Sequence, residues 1–75
     1  MDRAMIVEHL ALAERHVAEG QQHIKRQREL IHSLEPDGRD LATARALLAQ
    51  FEDMQLLHIR DRDRLREHLL TLKAD

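Results

Sequence analysis

Histidine is the residue whose number and spacing first suggest chemistry: six occur in 75 residues, and cysteine is absent. Imidazole can ligate a metal or carry a proton near neutral pH. His9, His16 and His23 recur every seven residues. On one helix, neighbouring members of that row stand about 10 Å apart along the axis and cannot share a metal ion. No two histidines stand at the i,i+4 spacing that chelates from one helix face. His16-x-x-Glu19-x-x-x-His23 does align a carboxylate between two imidazoles. An antiparallel neighbour would bring His58-x-x-Asp61 roughly level with His16, so the candidate metal site is His16, His58 and Asp61. The competing account is that flanking histidines fill gaps with their tips in water. It carries more weight, because metal sites in helix bundles need inward ligands from several helices. No metal and no cofactor is therefore expected.

Other chemistry fares less well. Glu29-x-x-His32 matches half of a di-iron bundle motif, but both residues fall on the outer side of their helix and no glutamate faces inward to complete it. Ser33, Thr43 and Thr71 are the only hydroxyls, and the first two sit where helix ends would use them. There is no glycine-rich phosphate loop, and the chain is not expected to be an enzyme. The formal net charge is −2 and the aromatic content 1%, which argues against nucleic-acid binding by charge or by stacking. Lys25, Arg26 and Arg28, with Arg39 beyond the turn, form the one positive cluster. Arg60 to Glu67 alternates in sign, with Asp61 in reach of Arg64 and Asp63 in reach of Arg66; such a run reads as a solvated, salt-bridged face.

The elements that would position these side chains are two long helices. Two glycines and one proline leave too few turns for a β-sandwich or barrel, and strong helix formers dominate. The single interruption is Ser33 to Asp40, where Pro36 ends one helix, Gly38 supplies a turn and Asp40 caps the next. The expected fold is all-α, one domain: helix about 3–34, turn 35–40, helix about 41–73. Leu10, Val17, Ile24 and Ile31 form one heptad row of the first helix; Ile6, Ala13, Gly20, Gln27 and Leu34 form the other. Leu41, Leu48, Gln55, Arg62 and Leu69, with Ala44, Phe51, His58, Leu65 and Leu72, repeat the pattern. This is the seam of a left-handed helix pair, and a short connection makes the pair antiparallel. Folding about the turn sets Ile31 by Ala44, Ile24 by Phe51, Gly20 by Gln55, Val17 by His58, Leu10 by Leu65 and Ile6 by Leu69.

One seam between two helices buries little apolar surface, and the sequence offers more than one seam uses. Met54, Leu56, Leu57 and Ile59 cover nearly the whole circumference of the second helix, and a helix apolar all round is buried all round. The expected partner is a second copy, giving a homodimeric four-helix bundle with those four residues at its interface. Met5, Leu12, Leu30, Leu47 and Leu70 supply the rest. Gln55, His58 and Arg62 fall in the seam and form a polar core layer, of the kind that fixes register in coiled coils. Arg62 must then pair with an acid, Asp61 or Glu14, or reach out of the seam.

The segment from His23 to Ile31, then Leu34-Glu35, Leu47-Leu48, Phe51-Glu52, His58 and Asp61 to Leu65, resembles a group of short bacterial helical-hairpin proteins with no assigned function. The resemblance spans about residues 9–70 and implies a bacterial cytoplasmic origin, with no activity to carry over. The function expected is a self-associating helical interaction module that docks or regulates a larger, unidentified protein. The alternative is a histidine-based metal- or pH-responsive four-helix bundle, since protonating all six histidines would take the charge from −2 to +4. No stretch is apolar enough to span a membrane and no signal-peptide core follows the start, so no membrane partner is expected.

Overall fold

The computed structural model describes residues 2–34 and 40–74. It is all-helical: α1 runs Arg3–Leu34 and α2 Leu41–Ala74. The turn containing Pro36 and Gly38 lies outside the described residues. Asp2 caps α1, its Oδ1 accepting from Met5 N at 2.9 Å while its carbonyl takes the first helical bond from Ile6. Asp40 stands at the corresponding place before α2, its carbonyl accepting from Ala44 N at 3.0 Å. Asp and Asn are favoured there because the first amides of a helix have no partner within it.

The helices pack side by side, antiparallel, into a rod of 58 × 15 × 14 Å. Its radius of gyration, 17.0 Å, exceeds the roughly 11 Å of a compact chain this long. Every described residue that is buried belongs to one of the heptad rows: Ile6, Ala13, Val17 and Gln27 on α1, Ala44, Gln55 and Leu65 on α2. The 3.5-residue apolar repeat of the sequence therefore coincides with the buried line, as it must when each helix buries a narrow stripe.

The seam is apolar at the open end of the hairpin, where Ile6, Ala13 and Leu65 form a cluster with Leu10, Leu69 and Leu72 packed around it. Further along it becomes polar. Gln55 Nε2 donates to Val17 O at 2.9 Å and Gln27 Nε2 donates to Ala44 O at 2.9 Å. Each helix thus sends one buried glutamine to a backbone carbonyl of the other. A helical carbonyl has a second lone pair beyond its i+4 bond, so these contacts cost the helices nothing and tie the two registers together.

Ion pairs line the outside. Arg66 to Glu14 at 3.1 Å and Arg28 to Glu52 at 3.4 Å bridge the helices. Arg64 to Asp61 at 2.7 Å lies within α2. Arg62, its side chain 23% exposed, meets its neighbour Asp63 at 2.9 Å, a partner other than Asp61 or Glu14. Those two acids pair instead with Arg64 and Arg66. Exposed pairs of this kind each contribute at most about 1 kcal/mol, so they trim the register that the glutamines and the apolar rows set.

Candidate functional site: the histidine side of the hairpin

The two lateral sides of the rod differ. On one side lie His9, His16 and His23 from α1, joined by Met5, Leu12 and Leu30 at the same or adjoining heptad positions. Facing them from α2 are Leu47, Met54 and Leu57, with Phe51, His58, Asp61 and Arg64. Two hollows on this side confirm the alignment. One, about 110 Å³, is lined by His16, Glu19, Gly20, His23, Phe51, Met54, Gln55 and His58. The next is lined by His9, Leu12, Ala13, His16, Asp61, Arg64 and Leu65.

The imidazoles meet across the helices. His16 and His58 have ring centroids 5.2 Å apart at an interplanar angle of 44°. One heptad along, His23 packs on Phe51 with centroids 5.7 Å apart. His16 and His58 are half-buried. Both line the hollow, as amphipathic side chains do at the flank of a helix pair.

The expected group of His16, His58 and Asp61 is brought together in part. The two histidines are neighbours, whereas the Asp61 carboxylate is held by Arg64 on its own helix. Among the described residues, no three His, Asp or Glu side chains of one copy are arranged to hold a metal ion. Glu29 and His32 lie on the exposed outer side of α1. In the positive cluster, Gln27 is turned inward and Arg28 is paired with Glu52.

The polar layer is larger than the sequence suggested. Gln55 is buried and hydrogen-bonded, and His58 is half-buried against His16. The Arg62 side chain keeps 23% of its surface exposed. Gln27, in the same heptad row as Ile6 and Ala13, is as buried as Gln55. The signal was there: a glutamine in a seam row must satisfy its amide, and a carbonyl of the facing helix is the nearest acceptor.

The apolar residues of α2 divide between two sides. Met54 and Leu57, three apart, share the histidine side. Leu56 and Ile59, also three apart, share the opposite one, where Ile59 lines a shallow groove with Ile24, Lys25, Arg28 and Glu29. Leu56, Leu57 and Met54 are more than half exposed and Ile59 is half-buried. No described helix is long and apolar enough to cross a membrane. Comparison with known proteins finds no matching family model, no similar curated protein and no solved structure that matches.

Proposed function

We propose that this chain is a self-associating helical module, two hairpins packing through their histidine sides into a four-helix bundle. One observation carries the reading. Met5, Leu12, Leu30, Leu47, Met54 and Leu57, each between 39% and 59% exposed, all lie on that side and run its whole length. Val7, Leu56 and Leu70 are the only large exposed apolar side chains elsewhere among the described residues.

Surface area supports the same occupant. The hairpin exposes 5848 Å², whereas a compact monomer of 8.8 kDa exposes about 4,800 Å². The surplus of about 1,000 Å² matches what each partner gives up in a standard protein interface, about 800 Å². The occupant must also repeat every seven residues and extend 58 Å, and a second hairpin of this sequence meets both conditions. The chemistry assigned to the module is recognition, with no bond made or broken.

Thermal unfolding followed by circular dichroism over a hundredfold range of protein concentration tests this. Unfolding coupled to dissociation raises Tm with concentration. A concentration-independent Tm would contradict the proposal and leave the apolar side to a different protein.

A further inference from the structure

The same side carries two imidazoles at a separation that chemistry recognises. In a tetrahedral zinc complex the metal–nitrogen bonds are about 2.0–2.1 Å, which places each imidazole centroid about 3.2 Å from the metal and two centroids about 5.2 Å apart. The His16 and His58 centroids are 5.2 Å apart. The pair comes from two different helices, is half-buried, and lines a hollow to which Glu19 adds a negative charge. Among the described residues of one copy, no third ligand joins the pair.

Position along the rod decides what could supply the other half. The midpoint of α1 falls between Ala18 and Glu19, less than one turn from His16; that of α2 falls between Leu57 and His58. Any two-fold pairing that overlaps two hairpins along their full length sets mid-length against mid-length. The residues best placed to meet their own symmetry mates are therefore His16 and His58. His9 and His68 stand toward the open end, and in an antiparallel pairing they would face the turn end of the other copy.

Resting on the self-association proposed above, we infer that His16 and His58 form half of a transition-metal site, of the zinc class, which a second copy completes with the same two imidazoles. Four neutral nitrogen ligands in a tetrahedron suit zinc. The ion would sit on the two-fold axis and pin the mid-length of one hairpin to that of the other, in the layer where the seam is polar and apolar burial is least.

The test is zinc titration of the full chain by isothermal calorimetry, with light scattering on the same samples. The expected result is one zinc per two chains. Binding should weaken in His16→Gln and in His58→Gln, vanish when both are changed, and persist in His9→Ala; circular dichroism checks that each variant still folds. A ratio of one zinc per chain, or binding indifferent to the double change, overturns the inference. A dimer that binds no zinc also overturns it while leaving self-association intact. A chain that stays monomeric at every zinc concentration overturns both.

Discussion

Gly20 lies directly beneath the side chain of Gln55. A Cβ at position 20 would overlap Gln55 Oε1 and crowd its Cδ at 2.8 Å. The missing methyl lets the amide lie flat between the helices and donate to Val17 O. Gln55 Oε1 is buried over the glycine and has no hydrogen-bond partner among the described residues. A helix-weakening residue and a buried polar one thus depend on each other.

Gly20→Ala should therefore destabilise the parent chain by about 1 kcal/mol. Helix propensity alone favours alanine by about 0.8–1.0 kcal/mol, but displacing the amide breaks a buried hydrogen bond, at about 1–3 kcal/mol. In a Gln55→Ala background the overlap is gone, and the same change should stabilise by about 1 kcal/mol. Urea denaturation of the four proteins measures the coupling. An equal effect in both backgrounds would show the two residues to be independent.

The two cross-helix glutamine bonds give a second expectation. Replacing both Gln27 and Gln55 by Leu should leave stability unchanged or raised, because apolar side chains replace groups whose acceptors keep their helical bonds. What should suffer is the single register. Spin labels at positions 3 and 71 would report a narrow distance distribution in the parent and a broad or split one in the double variant. An equally narrow distribution would assign the register to the apolar rows alone.

Arg62→Leu is expected to be neutral or stabilising by up to about 1 kcal/mol. Its pair with the exposed Asp63 carboxylate contributes little, and a leucine would extend an apolar seam row. A loss of several kcal/mol on chemical denaturation would show instead that Arg62 anchors a satisfied network.

The heptad rows were legible in the sequence because each helix buries one narrow stripe. Ile6, Ala13, Val17, Ala44 and Leu65 are buried where that period puts them. The level of His16 with His58 followed from the same register. Charge partners did not follow. Asp61, Asp63 and Glu14 all stand within reach of Arg62, and long flexible side chains choose among neighbours by local geometry that spacing does not encode. Asp61 went to Arg64, which removed it from the two histidines. Likewise, the stretch from Met54 to Ile59 reads as apolar all round, and only its heptad angle separates Met54 and Leu57 from Leu56 and Ile59.

That separation can be tested directly. In the proposed bundle Leu57 is buried between copies, so Leu57→Asp places an unpaired charge there, a cost of about 3–5 kcal/mol. Dimerisation should weaken at least about a hundredfold. Leu56→Asp changes the opposite side and should leave dimerisation within a few fold of the parent. Sedimentation velocity of the two variants decides between the sides, and a reversed outcome would move the interface to the Leu56 side.

The central claim is that the histidine side is covered by a second copy. Light scattering of the parent chain at micromolar concentration measures this most directly. The expected result is a folded species of twice the 8.8 kDa chain mass. A well-folded monomer of 8.8 kDa, helical by circular dichroism and stable at that concentration, would contradict it.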